Sequence, residues 1–190
     1  MNDQEKIQQG IDQSDVKKVE KRVAKDYLPD FIYGSNDGII TTFAIVASVV
    51  GAALESHIVL ILGLASLVAD GLSMAGSSYL SVRSEVEEAK RATHIQAFKH
   101  GAATFFGFII AGLMPLLAYV FPFFEGVRFP VAIGLTLLTL FVFGAGRALV
   151  AKMVWWKAGL EMLLIGAFAS SVAYGIGILG SRFAGAAFAV

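Results

Sequence analysis

Asp70 lies in the run Ser66-Leu67-Val68-Ala69-Asp70-Gly71-Leu72-Ser73-Met74-Ala75-Gly76-Ser77, a carboxylate in the middle of an otherwise uncharged stretch. At 3.6 residues per turn, Ser66, Asp70, Ser73, Met74 and Ser77 share one face of a helix, with Leu64, Leu67, Val68, Leu72 and Ala75 opposite. A carboxylate, a thioether and several hydroxyls on one stripe form a mixed hard and soft ligand set. Such a set suits a borderline divalent ion, ferrous iron or manganese, better than calcium or sodium. Met74 alone would read as packing; four residues from Asp70 it is a candidate ligand. The competing reading has Asp70 hydrogen-bonded to serines of a neighbouring helix.

A second carboxylate, Asp37, sits in Gly34-Ser35-Asn36-Asp37-Gly38 with Thr41 and Thr42 just beyond. Asn36, Ser35 and the threonines surround it with oxygen donors, and the flanking glycines let backbone or ligand come close. A helix-capping aspartate would be the plainer account. Glu161 and Arg147 fall at similar depth in their own apolar runs, which predicts a structural ion pair. Glu85, Glu87, Glu88, His94 and His100 form a further polar cluster that can gather cations at a mouth, Glu85 and Glu88 on one helical face. The same run also reads as a solvated helical turn. His57 stands beside Glu55 at a turn. Enzyme templates find no match: there is no HExxH, GxSxG, phosphate loop or nucleophile–base pair, so a non-enzymatic role is expected. With no cysteine there is no thiolate site and no disulfide framework.

These carboxylates must be held by the surrounding apolar chain. The 190 residues are 56% hydrophobic and 16% charged, with 15 basic and 15 acidic side chains, against about 25% charged in an ordinary soluble domain. Residues 1–30 hold thirteen of the thirty charges, residues 82–100 hold seven, and ten are spread over the other 141 positions. A soluble protein of this size has too little polar surface left to hide such stretches. No separate basic patch exists to bind nucleic acid. Five apolar runs, at about 31–53, 57–81, 97–121, 130–150 and 157–179, each reach the roughly 20 residues that cross ~30 Å of hydrocarbon as a helix. The fold class expected is an all-α integral membrane protein of five spans. A carboxylate at that depth costs on the order of 3 kcal/mol, so it persists where something repays it.

Lys and Arg fall thirteen to one side of the spans and two to the other, which places the N-terminus in the cytosol and the C-terminus opposite. Residues 1–30 read as a cytosolic arm, either an amphipathic helix on lipid headgroups or a solvated leader, and 181–190 as a non-cytosolic tail. Trp155 and Trp156 fit the inner interface, and Tyr119, Phe121, Phe123, Phe124 and Phe129 an outer aromatic belt. Small residues Gly71, Ala75, Ser78 and Gly107, Ala111 suit close packing, within one chain or across a homodimer. Pro115 predicts a kink in the third span.

The residues Asp30-Phe31-Ile32-Tyr33-Gly34-Ser35-Asn36-Asp37-Gly38 and Ala69-Asp70-Gly71-Leu72-Ser73-Met74-Ala75-Gly76, with Tyr79-Leu80-Ser81 and Ser84-Glu85, resemble the vacuolar iron transporter family. Met114-Pro115-Leu116-Leu117 and Gly159-Leu160-Glu161-Met162-Leu163-Leu164-Ile165-Gly166 extend the resemblance to about residues 30–180. It implies a five-helix homodimer with a metal path between the chains, lined by the first two helices. It further implies export of ferrous iron, often manganese, from the cytosol in exchange for protons. Asp37 matches the family's first-helix carboxylate and Met74 its second-helix methionine. Plant-type carriers have a Glu where this chain has Ser66, and Asp70 is the candidate substitute. They also carry a long cytosolic metal-binding domain between the second and third helices, where about fifteen residues stand here.

The reading expected from sequence is therefore a dimeric exporter of Fe2+ and Mn2+, with the metal as cargo and no resident cofactor. Its metal ligands are Asp37, Asp70 and Met74, with Ser66, Ser73, Ser77 and Asn36 secondary and Glu85 and Glu88 at the cytosolic mouth. The partners expected are membrane lipid, divalent ions, protons and a second copy, with no nucleic acid. The bacterial inner membrane is the expected location, the vacuolar membrane the alternative. A passive channel, a carrier of another solute, or a non-transporting membrane scaffold are the rival readings.

Overall fold

The computed structural model describes residues 27–88, 94–151 and 153–187, so the expected arm at 1–30 lies almost wholly outside the described residues. Five long helices follow one another: α1 (Tyr27–Gly51), α2 (Ser56–Glu88), α3 (His94–Val120), α4 (Arg128–Ala151) and α5 (Trp155–Ala187). Each contains one of the predicted apolar runs almost completely, and α2 and α5 extend well past theirs. The positions expected to form a tail after 181 continue as helix through Ala187.

Local chemistry sets the helix ends. Pro29 and Asp30 occupy the first turn of α1, where a missing N–H costs nothing and a carboxylate meets the positive end of the dipole. At its other end Ala53 adopts φ 56°. The Ala53 N–H donates to Val50 O at 3.0 Å and the Leu54 N–H to Val49 O at 3.1 Å. That pair of bonds is the Schellman closure, with alanine in the left-handed position usually given to glycine. The α3–α4 turn contains a short 3-10 helix, Pro122–Phe124, and Gly126 at φ 87°. Pro115 sits inside α3 without ending it.

Among the described residues four helices are long and apolar enough to cross a membrane: Ser56–Ser84, His94–Val120, Arg128–Ala148 and Trp155–Ala184. The chain is a multi-pass membrane protein. α1 differs in composition, because Gly34 to Gly38 interrupt its apolar run with polar atoms. It is also the helix that touches all four others. Its polar turn packs Gly34, Ser35 and Gly38 against protein and turns Asn36 and Asp37 toward a cavity, the arrangement in which polar groups survive at membrane depth.

The seam between α1 and α3 is backbone against backbone. A Cβ at Gly34 would lie 2.2 Å from Thr104 O, one at Gly38 2.4 Å from Phe108 O, and one at Gly107 2.1 Å from Phe31 O. α2 reaches α3 through Val59, Gly63, Leu67 and Gly71, all buried. Gly71 faces the Phe105 and Phe108 rings, and Ala75 O faces Gly101. The expected small-residue stripes therefore serve contacts within the chain.

The apolar core is concentrated toward the end where α1 turns into α2. Phe43, Val46, Val49, Val59, Leu116, Ala118, Tyr119 and Ala132 form its main cluster. Tyr119, expected in an outer aromatic belt, is 5% exposed within this core, and Phe129 packs on the same cluster. The Phe43 and Phe129 rings stack across the α1–α4 contact. Phe121 and Phe123 are exposed, as are Trp155 and Trp156, with Lys157 Nζ 5.6 Å from the Trp156 ring. His57 Nδ1 pairs with Glu55 Oε2 at 3.1 Å on the exposed α1–α2 turn.

Candidate functional site

Toward the opposite end, where α1 and α3 begin, the helices splay around a cavity of about 880 Å³. α1 lines it with Asp30, Tyr33, Asn36, Asp37 and Ile40, residues recurring at three- and four-residue intervals on one helical face. α2 contributes Met74, Ser77, Ser78 and Ser81 in the same rhythm. Asp37 and Met74, chosen from sequence on separate grounds, thus share one chamber. Asn36 and Ser77 join them. Asn36 Oδ1 is buried with no hydrogen-bond partner among the described residues, an acceptor that costs about 1–3 kcal/mol until a donor or cation meets it.

Asp70 is placed differently. It is exposed on α2, one turn from Met74 and outside the residues that line the cavity. Ser66 Oγ donates to Asp70 Oδ2, so the serine that restrains it belongs to its own helix, one turn away, as the shared face predicts. Ser73 lies on the same exposed face and does not line the cavity. The side chains of Glu85 and Glu88 lie outside the described residues. Among the described residues no three His, Cys, Asp or Glu side chains converge as a metal site. The cavity wall of one chain offers carboxylates, thioethers, an imidazole, an amide oxygen and hydroxyls.

The cavity wall also contains Asp30, which the sequence reading did not name as a donor, and His100, which it placed in the polar cluster at a mouth or on a solvated turn. His100 Nδ1 lies 2.6 Å from Asp30 Oδ2, and Ser78 Oγ donates to Asp30 Oδ1 at 3.3 Å. The Tyr27 ring packs 4.8 Å from the imidazole. His100 belongs to a buried face of α3 with Thr104 and Phe108, not to the solvated turn considered for it. Its spacing of four from Thr104 and its place beside Gly101 were the available signals. On the far wall Arg147 Nη2 meets Glu161 Oε2 at 2.7 Å, the ion pair expected from their matched depths. The same guanidinium contacts Met153 Sδ at 3.6 Å and Met162 Sδ at 4.0 Å, and Arg147 and Met162 both line the cavity.

Five helices around a polar chamber lined by acidic and thioether side chains define a helical membrane protein. The profile of the VIT family matches residues 28–96 and 88–178. The chain belongs to that family. It is 26% identical over 225 residues to the "Vacuolar iron transporter" of Plasmodium berghei (strain Anka), covering 82% of each chain. It is 30% identical over 156 residues to "Vacuolar iron transporter homolog 3" of Arabidopsis thaliana, covering 76% of this chain and 78% of that one. The first alignment runs longer than the whole 190-residue chain, so part of that relative has no counterpart here. Alignment with the Arabidopsis homolog shows no such excess.

Proposed function

We propose that this protein exports ferrous iron, and manganese as a second cargo, from the cytosol in exchange for protons, working as a homodimer. The observation that carries the reading is the shared chamber of Asp37 and Met74. Residues from two helices, 37 positions apart in sequence, present a hard and a soft donor to one space, with Asn36 and Ser77 beside them. That combination suits Fe2+ and Mn2+. The names of the similar proteins support iron as cargo.

The collection of basic residues on one side of five spans supports a cavity mouth in the cytosol. A two-fold axis along the exposed Asp70 face would bring two copies of each donor around one path. Asp70 then faces the partner and shares the ion with Asp37 and Met74. Metal and proton compete for the same carboxylate oxygens, so protonation releases the ion.

Metal uptake into proteoliposomes tests this directly. Wild-type protein should move Fe2+ and Mn2+ and respond to an imposed pH gradient. The double variant Asp37→Asn, Asp70→Asn should lose at least about tenfold in uptake, the effect of losing about 1.4 kcal/mol of binding. Undiminished transport by that variant would refute the site. Flux indifferent to the pH gradient would leave a passive channel.

A further inference from the structure

Arg147 and Glu161 form a partly exposed ion pair, but two sulfur atoms share the contact. Nη2 of the guanidinium lies 2.7 Å from Glu161 Oε2 and 3.6 Å from Met153 Sδ, and Nη1 lies 4.0 Å from Met162 Sδ. Thioether sulfur is a weak acceptor, so neither methionine adds much to holding the arginine. What the sulfurs share with the carboxylate is that each turns lone pairs toward a positive charge. An oxygen and two sulfurs thus converge on one cation, and that cation is the protein's own.

The donors are held unequally. Met162 is 5% exposed in the cluster with Ile39, Ala111 and Leu140. Its stem lies against α4, where a Cβ at Gly144 would come within 2.8 Å of its Cβ and Cγ. Met153 is 43% exposed on the connection between α4 and α5, and its three rotatable bonds let the sulfur move. A metal at the Nη2 position must draw these donors in by roughly 1 Å to reach bond lengths like those of zinc, about 2.0–2.2 Å to oxygen and about 2.3 Å to sulfur. Met153 and the exposed Glu161 can supply that movement. Arg147 and Met162 line the chamber, so the cluster opens on the same space as Asp37 and Met74.

We infer that Glu161, Met153 and Met162 form a second metal site, for a soft monovalent ion of the Cu+ class, which the Arg147 guanidinium fills in competition with the metal. Thioethers favour Cu+, and one carboxylate balances one positive charge, as it does for the guanidinium. Asp37 and Met74 pair a carboxylate with one sulfur; this set has two and is the softer. It goes beyond the export reading and does not rest on it, because its donors lie on α5 and the turn before it instead of α1 and α2.

The probe is Ag+, which takes the same ligands as Cu+ without changing oxidation state, added to the full chain in chloride-free detergent solution. The chain has five methionines, so 13C-methyl methionine labelling gives few signals, assigned by single Met→Leu variants. In R147Q the Met153 and Met162 signals should move together and saturate near one equivalent of Ag+. In wild type the tethered guanidinium competes at a roughly millimolar effective concentration, so the same shifts should need at least about tenfold more Ag+. R147K keeps a tethered cation and should resist as wild type does. E161Q added to R147Q should abolish the tight step. Met114, on α3 and outside the cavity lining, should stay in place, and Mg2+ should move neither sulfur signal.

Met153 moving without Met162, or both moving no earlier in R147Q than in wild type, overturns the site. Met114 moving in step with them overturns it too, as adventitious binding to any sulfur. If R147Q does not fold, the wild-type titration decides: one shared midpoint for the two signals supports the site, and separate midpoints overturn it. D37N should keep the wild-type Ag+ response, so its effect on Mn2+ uptake judges the export site alone.

Discussion

Replacing Gly38 with alanine tests how closely α1 is seated on α3. The new Cβ would fall 2.4 Å from the Phe108 carbonyl oxygen and 2.9 Å from both its carbonyl carbon and its Cα. All three are backbone atoms, so no rotamer change relieves the overlap. The helices must part by roughly 1 Å before the contact is tolerable. Overpacking of this kind costs about 1–3 kcal/mol, and the rigidity of both partners argues for the upper end. Alanine's better helix propensity returns up to about 1 kcal/mol. A net loss of roughly 2 kcal/mol corresponds to a melting temperature lower by roughly 4–8 °C in a chain of this size. Gly76→Ala supplies the control, because nothing lies within 4 Å of its Cβ position; it should melt no lower than wild type. Thermal unfolding in detergent, followed by Trp155 and Trp156 fluorescence, measures both. Parting the seam also displaces the adjacent Asp37, so Mn2+ affinity should fall in Gly38→Ala alone. A Gly38→Ala protein that melts at or above the wild-type temperature would refute the backbone-to-backbone seam.

Ala53→Gly should stabilise the protein by about 1 kcal/mol, since it removes the left-handed penalty at φ 56°; the melting temperature should rise by a few degrees. Phe108→Ala removes a fully buried ring and should cost about 3–5 kcal/mol, enough to lower the yield of folded protein on size-exclusion chromatography. Arg147→Gln takes a fixed positive charge off the cavity wall and should tighten Mn2+ binding several-fold in a titration at neutral pH.

The five helices were legible from run length and charge partition, since lipid leaves few other ways to satisfy a backbone. So was the α2 stripe, because a period of 3.6 puts Ser66 within reach of Asp70. Which edge of α2 packs inward was not. Leu64, Val68 and Leu72 are exposed while Leu67 is buried, yet all four look alike in a helix that is apolar all round. Asp70's exposure was equally invisible, because side-chain charge reports depth in the membrane and not the direction faced. His100 was named in a polar cluster, but its pairing was not legible. Its partner Asp30 is 70 positions away, and the charged neighbours of each suggested solvent. Tyr119 likewise reads as an interfacial ring, yet it is buried in the main apolar cluster with Phe43 and Val59.

The placement of α1 has a consequence for how the protein is made. It is the first of the five helices to leave the ribosome and the least able to remain in lipid unaided, with Asn36 and Asp37 in its polar turn. Its shelter is α3, whose Gly107 and Gly112 accept its backbone and which is synthesised more than fifty residues later. During that interval α1 must wait against the translocon, against chaperones or at the headgroups. Its final seating, and with it the assembly of the cavity, is an event after insertion. A chain stopped before α3 should leave α1 only loosely integrated, so the polar residues that serve the site also set the order of its biogenesis.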